Sequence, residues 1–229
     1  HVLGDSSVGR SIVDLCERHA ESLRHIMADR SPDATTIAVI GATGQGKSWF
    51  IRQLILDANV RQRIRSGDSQ EEATRRLYWF GPTAPIGIDS RYETFCHCES
   101  GKMIDLGGPY LVVDTPGATD CDANTVAIAE RAISMASVLV LVVRRQQVRS
   151  EVPTRLASAS DGTLIIPVIN AIRGGLADAD LRSDVDALVS RLRDAAPRAE
   201  VVTPLLVPDF EVHQMNESEV GTQLTGELI

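Results

Sequence analysis

Ile12, Leu15, Cys16, Leu23, Ile26 and Met27, with His19 among them, recur at three- and four-residue steps, which predicts an amphipathic helix over about 8–29, ended by Ser31-Pro32. Short, fully apolar runs follow. Thr35 to Ile40 (TTIAVI) is β-branched and runs into glycines, so it reads as a buried strand feeding a tight turn and then a helix from about Lys47 to Asp57. Ser69 and Glu72 have the spacing of a capping box for a short helix through Leu77, and Gly81 to Gly87 reads as an ordered loop. Tyr92 to Cys98 and Tyr110 to Asp114 read as the two strands of a hairpin, with Ser100-Gly101 and Gly107-Gly108 between them. Helices at about 122–136, 150–159 and 177–195 then alternate with apolar strands at 138–143, 164–169 and 201–207, and a last helix begins near 217. Continuous apolar strands between helices predict a mostly parallel sheet covered on both faces. The expectation is an α/β three-layer sandwich, its six-stranded sheet including one antiparallel hairpin strand.

Composition narrows the function more than the fold. The chain has 229 residues, 43% of them hydrophobic, which is enough for a proper core and excludes a disordered chain. Its 31 acidic against 23 basic residues give a net charge of −8, which repels nucleic acid and anionic lipid, so no nucleic-acid partner is expected. No run approaches the roughly 18 apolar residues of a membrane span, and the start lacks the layout of a secretory leader. Four cysteines (Cys16, Cys96, Cys98, Cys121) are too few for a disulfide scaffold, so a reduced, cytoplasmic setting is expected. The first residue is His1 and the last residues continue a helical pattern, as expected of a domain cut from a longer protein. Residues 1–31 are expected to form a helix packing on one domain spanning 32–229.

The chemistry concentrates at the first glycine turn. Residues 41–48 read Gly-Ala-Thr-Gly-Gln-Gly-Lys-Ser, a full phosphate-binding loop with its strand before and helix after. Glycines let successive N–H groups point at one anion, and the following helix adds its positive dipole end. Gly41, Gly44, Gln45 and Gly46 would cradle the phosphates. Lys47 would reach the β- and γ-phosphates, and Ser48 would ligate Mg²⁺. Lysine is otherwise found only at Lys102, so its use at 47 instead of arginine suits a site needing a compact ammonium. Asp114-Thr115-Pro116-Gly117 ends an apolar strand, where open α/β sheets bind ligands.

Together these two motifs resemble the P-loop GTPases of the translation-factor-related (TRAFAC) class, over about residues 35–210. The length of 58–91 is more similar to the dynamin-like and septin-like branches. The resemblance implies a G-domain-like P-loop NTPase fold that binds GTP and GDP with Mg²⁺ and hydrolyses GTP as a conformational switch; a nucleotide-dependent interaction or dimerisation module that does not hydrolyse, or a P-loop ATPase, stays open beside it. It implies that Asp114 holds Mg²⁺ through a water and that the Gly117 N–H meets the γ-phosphate. A switch threonine capping Mg²⁺ should lie before the second strand: Thr83 is the choice, with Ser90 and Thr94 competing.

Two positions depart from the family pattern. The base-reading Asn/Thr-Lys-x-Asp is replaced by Asn170-Ala171-Ile172-Arg173: Asn170 fits, but Arg173 cannot accept a hydrogen bond, and Asp178 or Asp209 could supply a carboxylate instead. Ala118 stands where many small GTPases place a water-orienting glutamine, and Gln45 reads as a solvent-facing loop residue, so intrinsic hydrolysis should be slow. The missing group would come from a homodimer partner, or from an effector or activating protein, across the nucleotide face. Arg144-Arg145 reads as a solvated charged loop near that face. Cys96-His97-Cys98 has metal-ligand residue types, but a strand puts its two cysteines and its histidine on opposite faces.

Overall fold

The computed structural model describes residues 35–64, 76–85, 87–117, 123–160, 162–176, 178–209 and 217–228. The expected helix within 1–31 lies outside the described residues, as do Ala118 and the helix expected to begin near Ser69. The strands are β1 (Thr35–Ile40), β2 (Leu77–Gly81), β3 (Glu93–His97), β4 (Tyr110–Asp114), β5 (Val138–Arg144), β6 (Leu164–Ile172), β7 (Glu200–Val201) and β8 (Leu205–Pro208). The helices are α1 (Lys47–Leu54), α2 (Ala58–Arg63), α3 (Ala123–Met135), α4 (Val152–Ala157), α5 (Ala179–Ala195) and α6 (Glu217–Leu228). One sheet runs in the order β3-β2-β4-β1-β5-β6-β7, with β8 also on β6, and every pairing within it is parallel except β2 with β4.

Alternation along the central strands explains why they are apolar throughout. Ala38, Ile40, Leu139, Leu141 and Val143 join the core under α3, α4 and α5, whereas Ile37, Val39, Val140 and Val142 join the core under α1, α2 and α6. Both faces are buried, so a strand cannot spend alternate positions on polar residues. None of the described helices is long and apolar enough to cross a membrane.

Four expectations are corrected. The sheet has eight strands, not six. Leu77–Gly81 is a strand, and its Tyr78-Trp79-Phe80 run carries the β-favouring aromatic signal that the capping-box reading overrode. The last strand is broken in two because Pro204, between β7 and β8, cannot donate to the ladder. The antiparallel partner of β4 is β2 and not residues 92–98, so the expected hairpin does not exist. After β3 the chain turns through Ser100–Lys102, and Met103 is buried with Ile55 in an antiparallel bridge, which carries the connection under the end of α1. The edge strand β3 is fixed in turn by buried Glu93, which accepts from Trp79 Nε1 at 2.9 Å and from Arg131 Nε of α3 at 2.7 Å.

Candidate functional site

The site begins where β1 ends. Gly41, Gly44 and Gly46 take φ values of 153°, 74° and 98°. At Gly46, which caps α1 in the left-handed conformation, a Cβ would stand 2.3 Å from Asn170 Nδ2, so any side chain would both strain the backbone and displace Asn170. Lys47 opens α1 only 7% exposed, and its Nζ donates back across the loop to the Gly41 and Ala42 carbonyls, 3.2 Å each.

Two residues tie the loop to neighbouring strand ends. Asn170 Nδ2 donates to the Gln45 carbonyl at 2.9 Å, and its Oδ1 accepts from the Ala171 N–H at 2.8 Å. Gln45 is 3% exposed, and its side-chain Oε1 accepts the Arg144 backbone N–H at the end of β5. The expectation of a solvent-facing Gln45 is therefore corrected: its side chain is buried, and its Oε1 helps to hold the loop against the end of β5. Position within a glycine-rich turn gave no sign of this, because the partner is 99 residues away.

Opposite the loop, Asp114 ends β4. Ser48 Oγ donates to Asp114 Oδ2 at 2.8 Å, and Thr115 Oγ1 donates to the Val39 carbonyl at 2.9 Å, fixing the turn that follows. Asp114 is 3% exposed, and its Oδ1 is buried with no hydrogen-bond partner among the described residues. Burial pushes the carboxyl up to about 6, against the lowering influence of the Lys47 charge and the Ser48 hydrogen bond. An orphaned, nearly dry carboxylate oxygen beside a hydroxyl and an ammonium suits a hard cation bound with phosphate oxygens. Gly117 closes on the same loop: a Cβ there would lie 2.0 Å from Thr43 Oγ1 and 2.8 Å from the Thr43 nitrogen.

One end of the sheet thus gathers Gly41, Gly44, Gln45, Gly46, Lys47, Ser48, Asp114, Gly117 and Asn170. It does not gather Thr83. β2 is antiparallel to β4, pairing Tyr78 with Asp114 and Phe80 with Val112, and Gly81 packs against the Tyr110 carbonyl. Thr83 follows Gly81 at the opposite end of β4, about 13 Å along a five-residue strand. The missed strand is what misplaced it. Thr83→Ala should leave Mg²⁺-dependent nucleotide affinity unchanged within about two-fold, as for a surface substitution away from the site. A ten-fold loss in a fluorescence titration would contradict this placement.

The rim is ionic. Arg144 is exposed, but Arg145 and Arg149 both pair with Asp184 of α5 at 2.7 Å, so this stretch is braced on a helix and is not a free charged loop. Arg173 Nε contacts Asp209 Oδ2 at 3.1 Å, whereas Asp178 accepts from the Asp180 N–H at 2.9 Å as the cap of α5. Cys96 and Cys98 are buried free thiols pushed up by burial and His97 is exposed on the other face; among the described residues no three His, Cys, Asp or Glu side chains converge on a metal position.

No protein-family model matches this chain, and no curated protein matches it by sequence. Among solved structures, it is similar to Era in complex with MgGDPNP and a segment of 16S ribosomal RNA, at 16% identity over 85% of this chain and 56% of that one, TM-score 0.42. It is similar to the bacterial selenocysteine-specific elongation factor EF-Sec at 15% identity over 86% of this chain and 29% of that one, TM-score 0.46. Sup35 complexed with GMPPNP gives 15% identity over 78% of this chain and 38% of that one, TM-score 0.38. The chain thus spans about half of the Era chain and under a third of the EF-Sec chain.

Proposed function

We propose that this chain is a P-loop GTPase of the translation-factor-related class, binding GTP with Mg²⁺ and hydrolysing it slowly to GDP and phosphate as a conformational switch. The observation that carries the reading is the meeting of Ser48 with Asp114 beside Lys47, with one Asp114 oxygen buried and unpartnered among the described residues. Lys47 would exchange its two loop carbonyls for β- and γ-phosphate oxygens, and the loop N–H groups would point at the same anion. Ser48 would ligate Mg²⁺ directly and Asp114 through water. The ion supplies charge neutralisation along the phosphates. The Gly117 N–H would meet the γ-phosphate, so that losing this phosphate releases the segment after it.

Slow turnover follows from what the site does not offer. Ala118 has no polar side chain, and the Gln45 amide is held by Arg144, so neither orients a water. A second copy of the chain or an activating protein facing the nucleotide would then supply the missing group, an effect worth roughly 10³–10⁵ in rate when it is an arginine. The same two facts favour a second reading, a module that signals by nucleotide occupancy with almost no hydrolysis. Phosphate release measured against protein concentration separates them. The expected result is turnover over minutes or longer in dilute protein, rising steeply with concentration or on adding a partner. A fast rate that is first order in dilute protein would contradict the slow-switch reading, and no release under any condition would leave the occupancy module.

A further inference from the structure

Gln45 is held twice, by two residues that the sheet sets side by side. Arg144, the last residue of β5, is in register with Asn170 of β6. The Arg144 N–H donates to the Gln45 side chain, and Asn170 Nδ2 donates to the Gln45 carbonyl at 2.9 Å. Asn170 lies within a nine-residue strand, whereas the chain leaves Arg144 at once through a single 3₁₀ turn, Arg145–Gln147. That exit is clamped from α5. Asp184 Oδ2 meets Arg145 and its Oδ1 accepts from Arg149 Nε, 2.7 Å each, with the Asp184 side chain only 10% exposed. Arg191 stands two turns further along the same face of α5. One of its nitrogens donates to the Arg149 and Ser150 carbonyls at 3.2 Å each, and another donates to the Val148 carbonyl. Val148 itself is buried in the core under α5.

We propose that Asp184 and Arg191 are positioning residues for the phosphate loop: by clamping 145–150 they fix the Arg144 N–H that holds Gln45, and so set how tightly the loop binds a polyphosphate. The inference rests on the nucleotide-binding reading above. Neither residue meets the ligand; both act through Gln45. An isolated exposed ion pair would not carry this argument, since such pairs contribute about 0–1 kcal/mol. Here one nearly buried carboxylate serves two guanidinium groups of a single turn, and Arg191 caps three successive carbonyls of the same turn, so the groups act as one network. A clamp that only stabilised α5 would make a different prediction: any substitution that loosened the helix would then weaken the loop alike. Linkage also makes the coupling reciprocal, so an anion that steadies the loop steadies the clamp.

The test is a double-mutant cycle read by binding of GTP and of inorganic tripolyphosphate, each with Mg²⁺. It uses the parent, Asp184→Asn, Gln45→Met and the double variant. Gln45→Met keeps the length of the side chain and removes the acceptor for the Arg144 N–H. Asp184→Asn should weaken both ligands by the same factor, roughly five- to fifty-fold, because it acts on the loop and not on the base. In the Gln45→Met background the same substitution should change either affinity by less than about two-fold. Val189→Ala, which trims the core under α5 outside the clamp, should lower the melting temperature and leave both affinities as in the parent. Additive losses in the double variant would overturn the proposal, and so would an equal loss of affinity in Val189→Ala. Parent-like affinity in Asp184→Asn would overturn it too, while leaving the triphosphate site standing. If Asp184→Asn does not fold, Arg191→Gln takes its place in the cycle under the same criteria. A parent that binds neither ligand removes the reading on which the proposal rests.

Discussion

Replacing Lys47 with alanine is expected to remove tight triphosphate binding and leave the fold intact. The ammonium is placed at the first position of α1, 7% exposed, where it donates to the loop carbonyls of Gly41 and Ala42. No other lysine lies near, since Lys102 pairs with Asp57 and Glu99 elsewhere. Removing one partner of a buried, hydrogen-bonded charge pair costs about 2–5 kcal/mol, roughly 30- to 4,000-fold in affinity at about 1.4 kcal/mol per decade. Losing the two loop-carbonyl hydrogen bonds should cost about 1–3 kcal/mol, so the melting temperature should fall by only a few degrees. Calorimetric titration with GTP and ATP beside a thermal melt checks both halves. A variant that binds like the parent would show that the loop is not the site.

Asp114→Asn should separate stability from binding. The carboxyl of Asp114 is raised from 3.8 to about 6 in the folded chain, chiefly by burial. Because the folded value lies above the unfolded one, folding favours the protonated form. Its contribution is therefore fully present below about 4 and is lost as pH rises through about 6. Keeping a carboxylate ionised at neutral pH against so large a rise costs about 3 kcal/mol. The variant removes that cost but buries an amide N–H₂ that costs about 1–3 kcal/mol when unpaired. The metal-free variant should then be more stable by about 1 kcal/mol at pH 7, a gain of a few degrees in Tm. The advantage should disappear by pH 5, while Mg²⁺-dependent nucleotide binding is lost. A variant less stable than the parent at pH 7, with the same pH profile, would mean that the buried carboxylate is not a strained group.

The contrast between what was legible in the chain and what was not follows from the range of the interactions. Residues 41–48 and 114–117 could be read because their chemistry is local: a strand, a turn that only glycine tolerates, a helix start, and an acidic strand end. The continuous apolar runs of β1, β4, β5 and β6 signalled a sheet covered on both faces for the same reason. What stayed hidden depends on partners far along the chain. Tyr78-Trp79-Phe80 becomes a strand because β4 offers it an edge, and that pairing turns Thr83 away from the metal end. Gln45 is buried because the Arg144 N–H ends β5 beside it. Arg173 and Asp209, 36 residues apart, meet only through the parallel register of β6 and β8. The departure from the base-reading motif was plain in the sequence, but the Arg173–Asp209 contact at the same strand end was not.

The central claim is that the glycine loop, Ser48 and Asp114 form one Mg²⁺–triphosphate site with a preference for guanine. Titrating the unmodified chain with GTP and with ATP, each with Mg²⁺ and again with the metal chelated, tests it most directly. The account predicts saturable binding at one site per chain, tighter for GTP than for ATP, and weakened when Mg²⁺ is withdrawn. Equal or tighter binding of ATP, or no saturable binding of either nucleotide, would contradict it.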